Sequence, residues 1–555
     1  MAISPQLKVL PPSERSALRK LLSDRLRINS ERSPQNYLRL IGVLCQIDRE
    51  LVFDSESLDE VASSLCDLST VELASWLAVF KPICNELVMR FDQIIEDEDA
   101  EQLRRMNAAS LWVGFRSGQV EAIVEKGLEA PSIAFEPFLA EWKSNQSDSI
   151  QLLRRRFINK PTDDASAELF VMCAIGLASL DDAEPLWECF SGSFGEAARA
   201  FAITQCHRRS FAFELLANRM QNTQSAMELA SLIAAIGNYP VDKLRKGVNE
   251  TLIESLKREY QNNSSSSVHG ACESTLVRWK VPLPSIEISS TDPIEDLRSY
   301  RSPEGMDLVT MRVPQRDPGV DVSPVTECRV AVGAKEVTVA QFRKFCDEDI
   351  FKVGLDSFNY KVEISPTGDC PQNSVSWYLG AMFCNWLSLK EGIPEDQWCF
   401  EVEPTKEALY RLRENATYLS GYRFPSATEA KVFCGGVNPP FDQPRPDGVL
   451  VISNFPWGND SKLLNEFAFT AENAMGKTWP AGHRLPNDLG LHDTLGSLLE
   501  WTVTIDQEAS MAICTGGNYI NAQPKLFHVE PDSKAGFMYR NFYFGFRVAR
   551  TLVGK

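Results

Sequence analysis

The sequence predicts a multidomain protein of mixed class: an all-α N-terminal part, read as a HEAT-like solenoid or irregular bundle, followed by a loop-rich α+β domain. Three observations predict it. At 555 residues the chain is too long for a single hydrophobic core. Apolar residues up to about position 285 recur at spacings of three and four. Beyond a proline- and serine-bearing stretch near 281–303, glycines, aromatics and turn residues replace that periodicity.

The helical part begins with Tyr37, Leu40, Ile41, Leu44, Ile47 and Leu51, which fall on one stripe of a helix. Similar segments follow at about 58–68, 71–96, 99–127, 166–181, 195–220 and 223–237. Ser69-Thr70 and Thr223 stand where helix starts are needed. Paired helices with no central sheet suggest stacking, although no clean repeat period is visible. Residues 1–285 are therefore assigned to this region and 286–304 to a linker, or an extended strap over a domain surface. The third segment, 305–552, has short strands and two marked helices. One covers 338–347 with Thr338 as N-cap. The other covers 376–391 with Trp377, Met382, Phe383, Trp386 and Leu387 as its buried stripe.

The bulk numbers exclude some functions. Hydrophobic content of 44% and charged content of 24% are ordinary for a globular protein. A net charge of -18 and a pI of about 5.0 repel phosphate backbones, so nucleic acid is not an expected partner. The one dense basic run, Arg154-Arg155-Arg156, reads as a solvated helix face. No apolar run reaches the roughly 20 residues that cross a bilayer, and the start has no apolar core of signal-peptide length. A cytoplasmic location with no membrane partner is the expectation. Fourteen scattered cysteines without a C-x-x-C read as free, buried thiols.

Several segments then carry a resemblance. KEVTVAQFRKF (335–345), NSVSWYLGAMFCNWLS (373–388), GYRFPSATEAKVF (421–433), FPWGND (455–460), LPNDLGLHDTLGSLLEWT (485–502), TGGNYI (515–520) and GFRVAR (545–550) stand in the order of the motifs of the formylglycine-generating-enzyme, or sulfatase-modifying-factor, family. The resemblance implies a C-type-lectin-like FGE-sulfatase fold, with loops pinned by aromatics and bound calcium. VHGACESTLVRW (268–279) resembles a helical segment that precedes this domain in multidomain bacterial proteins, some with a kinase upstream. The sequence shows no kinase glycine loop, catalytic Asp loop or Mg-binding Asp motif.

The resemblance also says which chemistry is missing. Family oxidases hold copper with two cysteines after the Gly-Gly turn, and soft thiolates select Cu(I). Here those positions are Asn521 and Leu526, and Cys514 lies before the turn. No catalytic residue is assigned, and copper is not expected. The iron-dependent branch needs an H-x-x-x-H-x-E cluster, whereas the five histidines, at 207, 269, 483, 492 and 528, are nowhere three or four apart. His492, in the turn, is expected at the surface, and His207 on a helix flank.

The calcium ligands that the resemblance carries over are Asp493, the carbonyls of Gly496 and Leu498, and Glu500 for the family's second site, with Asn473 and the Met475 carbonyl for the latter half of its first. The family Asn and Trp of the same loop are Ser497 and Leu499 here, while Arg423 and Glu429 are retained as a bracing pair.

The first functional expectation is a non-catalytic bacterial binding, scaffold or sensing module for a protein or peptide partner. Its groove would be rimmed by Asn518, Tyr519, Asn521, Phe527, Tyr539, Arg540, Asn541, Phe542 and Tyr543. A hypervariable lectin-like receptor, diversified at the Asn, Tyr and Phe of 518–521 and 539–544, is one alternative. A formylglycine-generating-type oxidase is the other.

Overall fold

The computed structural model describes residues 34–47, 53–157, 160–241, 248–286, 298–315, 326–348, 360–402, 410–435, 437–438, 451–528 and 533–552, with a few positions between 11 and 22. The chain divides into two compact units, one made of Met1–Lys160, Leu169–Leu186 and Arg208–Phe211, the other of Pro161–Glu168, Trp187–His207 and Ala212–Lys555.

The first unit is helical. Its helices are α1 (Pro34–Ile47), α2 (Ser55–Cys66), α3 (Thr70–Phe80), α4 (Cys84–Glu96), α5 (Gln102–Phe115), α6 (Val120–Glu129), α7 (Phe135–Ser144) and α8 (Gln146–Phe157). Each packs on the next one to three in chain order, the pattern of stacked helices. The α1 stripe buries Tyr37, Ile41, Leu44 and Ile47, with Leu40 at its margin; Leu51 lies outside the described residues. Ser69 and Glu72 form a capping box at α3. Phe80, Phe91, Phe138 and Trp142 fill the interior.

Two long expected helices of this unit are broken in the structure. Pro82 starts a 3-10 turn at Lys81–Ile83 and splits 71–96, and Gly118, at φ +85°, splits 99–127. The α7 and α8 helices were not expected from periodicity. In the Arg154–Arg156 run, Arg154 pairs with Asp182 at 2.7 Å and Arg156 with Glu125, so acids already answer part of this basic face.

Helix α9 (Asp164–Ala178) and helix α10 (Glu184–Phe190) follow. The second unit then carries α11 (Glu196–Arg208), α12 (Phe213–Asn222), α13 (Ala226–Ile236), α14 (Val248–Asn262) and α15 (Ser266–Arg278). Ser210, at φ +51°, turns the chain between α11 and α12 and breaks the expected 195–220 helix. Ser225, not Thr223, caps α13 by accepting from Glu228 N.

The sheets come after. Strands β1 (Ser299–Arg301), β2 (Asp307–Gln315), β3 (Thr326–Gly333), β6 (Tyr422–Arg423) and β13 (Ala549–Thr551) form one antiparallel sheet in the order β1-β2-β3-β13-β6. Strands β9 (Leu499–Asp506), β10 (Met511–Thr515), β11 (Ser533–Ala535) and β12 (Phe544–Gly545) form a second, ordered β11-β10-β9-β12. Two short hairpins, β4 (Phe400–Val402) with β5 (Tyr410–Leu412) and β7 (Val437–Asn438) with β8 (Val451–Ile452), complete them.

Strand β1 lies inside the stretch read as linker: Tyr300 pairs with Leu308, so these residues are sheet and not spacer. Most of that stretch, 287–297, lies outside the described residues.

Helix α16 (Val339–Asp347) starts at the Thr338–Gln341 capping box. Helix α17 (Trp377–Lys390) is capped by Ser376 and is buried well beyond one stripe, because Leu379, Ala381, Cys384, Asn385 and Ser388 join the predicted five inside. Its aromatics meet Phe400, Phe424, Trp501 and Phe546 in the domain core. Helices α18 (Ala427–Cys434) and α19 (Leu464–Phe467) are short. A loop-rich α+β domain is thus observed where the sequence predicted one.

Candidate functional site

The Gly516-Gly517 turn ends β10 with φ of +93° and +72°. A side chain at 517 would put its Cβ 2.8 Å from the Phe527 ring and 2.9 Å from the Leu526 carbonyl, so only glycine fits. Beyond it the chain closes on itself. Asn518 N donates to Asn521 Oδ1 at 2.9 Å, Asn521 N donates to Asn518 O at 3.0 Å, and Ile520 N donates to Asn518 Oδ1 at 3.1 Å. Leu526 is solvent-exposed.

This geometry corrects part of the expected groove. Tyr519 is 1% exposed and packs with Phe469, Ala474 and Leu498. Asn518 and Phe527 are also buried. The amides of the Asn518–Asn521 stretch thus satisfy its own backbone, and Ile520, at 47% exposed, is the side chain it leaves open to a ligand. That weighs against diversification there.

The second expected stretch is different. Met538 is 70% exposed, Tyr539 43% and Phe542 37%, with Arg540 exposed beside them. Tyr543 and Tyr539 join hydroxyls at 3.0 Å, and Asn541 Nδ2 donates to the Tyr539 oxygen at 3.1 Å. Accepting these bonds lowers the Tyr539 pKa, and giving its proton to Tyr539 raises that of Tyr543 to about 12. The loop is thus an ordered surface, held at its base by Leu499 N donating to Tyr543 O at 2.9 Å.

The expected calcium ligands lie at the start of β9. Arg547, between β12 and β13, donates to both oxygens of Glu500, at 2.7 and 2.6 Å, and to the His492 and Asp493 carbonyls at 3.0 and 3.2 Å. Asp493 Oδ2 accepts from Gly482 N at 2.7 Å, while its Oδ1 is buried without a partner. Glu336 accepts from Leu498 N at 3.1 Å. Burial, then Glu500 and Asp493, push Glu336 well above the usual carboxylate range, and burial raises Asp493 to about 6. Three buried carboxyls thus face one guanidinium. Asn473 Oδ1 accepts from Thr470 N at 3.0 Å, and Met475 is exposed at φ +55°.

Sequence reasoning missed Glu336 and Arg547, which sat inside quoted motifs but were read as strand residues. It also misplaced His492, which is 0% exposed: the turn around it folds inward, and His492 N donates to Ala334 O at 2.9 Å. His207 lies half-buried on α11, its ring 5.0 Å from that of Tyr239. Cys514 is buried and its thiol is pushed up by burial, and all fourteen cysteines are free. Among the described residues no helix is long and apolar enough to cross a membrane.

A curated relative, described as chaperone protein LppX of Paenibacillus barcinonensis, is 26% identical over 147 residues, or 24% of this chain. The chain spans about half (50%) of that relative's length. Among solved structures, Treponema denticola variable protein 1 is 18% identical with a TM-score of 0.33, covering 47% of this chain and 99% of its own. CarF is 21% identical with a TM-score of 0.32, covering 45% and 100%. Residues 312–552 match the model of the sulfatase-modifying factor enzyme 1-like domain, so this chain carries an FGE-sulfatase domain behind a helical region.

Proposed function

We propose that the FGE-sulfatase domain acts as a binding module for a protein or peptide, with the Met538–Tyr543 loop as its contact face. One observation carries this reading. At the two positions where the oxidases place thiolates stand Asn521, whose amide oxygen is spent on Asn518 N, and the exposed Leu526. Neither side chain grips cuprous ion. Exposed Met, Tyr, Phe and Arg together have the composition enriched at protein interfaces. The description of the curated relative as a chaperone fits such a role better than an oxidising one.

Two measurements test it. Protein loaded with Cu(I) is expected to leave the cysteine of a C-x-P-x-R peptide unchanged; conversion to formylglycine establishes the oxidase instead. Peptides selected on the full chain from a display library are expected to lose binding to Tyr539→Ala and Phe542→Ala variants. Binders indifferent to both changes remove the face from the proposal.

A structural calcium ion belongs to the same proposal. Asp493 Oδ1 is a buried, unpartnered oxygen, Glu336 is a second hard donor beside it, and the carbonyls of Gly496 and Leu498 are in the same loop. Glu500 enters such a shell only if Arg547 releases an oxygen. Calcium is expected to raise the melting temperature, and more so at pH 7.5 than at pH 5, where protons compete for the carboxylates. Equal melting with calcium and with chelator at both pH values excludes the ion.

A further inference from the structure

A second cluster lies within the same compact unit, away from the loop and next to the Asp493 carboxyls. Helix α15 presents His269 and Glu273 on successive turns of one face. Opposite them stand Asp307 from β2, Lys335 after β3, and His492 from the inward turn. His269, Glu273 and Asp307 each offer a ligand atom within 4.8 Å of the others. His492 Nε2 lies 3.9 Å from Glu273 Oε2.

The hydrogen bonding fixes both tautomers. His269 Nδ1 faces the Tyr260 carbonyl at 3.0 Å, and His492 Nδ1 faces the Arg484 carbonyl at 3.3 Å. A carbonyl only accepts, so each Nδ1 carries the proton and each Nε2 keeps a bare lone pair. Both Nε2 atoms and Glu273 Oε2 are buried and have no partner. Three unsatisfied acceptors in this one buried cluster need donors or a cation. A water has two protons and satisfies at most two of them.

The surrounding charges fit a cation. Burial raises Glu273, but Lys335 and the two imidazoles together more than offset it and hold it below its usual value, and Asp307 accepts from Arg301 at 2.7 and 2.9 Å. These two pairs cancel. Asp493, which feels Lys335, adds one more buried carboxyl on the same side. Burial keeps both imidazoles neutral, the form that ligates metal.

We infer that His269 Nε2, His492 Nε2 and Glu273 Oε2 form a binding site for a divalent transition metal of the zinc class, with Asp307 as the fourth donor in reach. Two imidazole nitrogens and carboxylate oxygen suit zinc, and each imidazole is oriented by a carbonyl on its far nitrogen, as metal-ligating histidines are. Calcium, which takes oxygen, does not compete here. The ion would tie α15 to the sheet and turn of the FGE-sulfatase domain.

The test uses the full chain. Dialysed against zinc and then against metal-free buffer, the protein is expected to retain one zinc per chain. X-ray absorption of that sample is expected to show two imidazole ligands. His269→Gln and His492→Gln each weaken zinc binding at least about tenfold, while His528→Gln, outside the cluster, changes nothing. Wild-type protein that keeps no zinc, or zinc held in a shell without imidazole, overturns the site, and both readouts stand even if a variant fails to fold. Zinc retained equally by both variants overturns it too. Calcium titration and peptide binding read other residues, so failure there is separate.

Discussion

Arg423 is fully buried, and both of its terminal nitrogens find acceptors while its Nε has none. It holds Glu429 at 2.6 and 2.7 Å, the Phe424 carbonyl at 3.0 Å and the Thr551 hydroxyl at 3.1 Å. Breaking such a pair strands a charge in a dry interior. Arg423→Ala is expected to cost about 3–5 kcal/mol, measurable by urea unfolding, and a cost below about 1 kcal/mol contradicts the brace. The pairing was legible in the sequence, because both residues sit in one short motif around a helix start.

The histidines were less legible. His483 and His492 are both held near pKa 4 by burial, below the usual imidazole value. Unfolding frees them to bind protons, so the unfolded state takes up more protons between about pH 6.5 and 4. Stability is therefore expected to fall as pH drops through that window, and His483→Gln should flatten the slope. A melting temperature that rises on acidification from pH 6.5 to 4 contradicts the sign. A one-letter turn motif such as GLHD does not reveal which of its side chains points inward.

Elements obey their local signals more than their periodicity. Thr338 caps α16 by accepting from Gln341 N at 3.3 Å, while Gln341 Oε1 accepts from Thr338 N at 2.9 Å. Thr338→Ala is expected to cost about 1 kcal/mol, seen as an earlier denaturant midpoint, and an unchanged midpoint denies the cap. Both ends of α16 were visible in the sequence. The long helices of the N-terminal part were over-drawn, because apolar spacing continued through Pro82 and Gly118 although the backbone did not. Gly490 shows a constraint that no pattern announces. Its φ is +82°, and a Cβ there would stand 2.1 Å from the Ser266 carbonyl on α15. Gly490→Ala is expected to destabilise by at least about 1–3 kcal/mol, checked by thermal unfolding, and a neutral result denies the close approach.

At the scale of the molecule, the order of seven motifs made the C-terminal fold legible, and the match at 312–552 agrees with it. The contact face was half legible. Composition marked two stretches alike, but backbone satisfaction drew Asn518 and Tyr519 inside and left Ile520 as the exposed side chain of the first, whereas Met538, Tyr539, Arg540 and Phe542 of the second all reach solvent. Tyr539→Ala is expected to weaken any partner selected on the face by about 2 kcal/mol or more, with the melting temperature unchanged. Titration calorimetry decides it, and equal affinity contradicts the assignment.

The backbone approach of α15 to the Gly490 turn bears on where the domain can be cut. Gly270, on α15, already lies 2.9 Å by its own missing Cβ from the Gly490 carbonyl, and Glu273 beside it answers Lys335. A fragment cut at residue 312 would leave Lys335 and His492 facing water through a hole where a helix belongs. A segment trimmed to the matched residues is therefore expected to melt at a lower temperature than one that begins before α15.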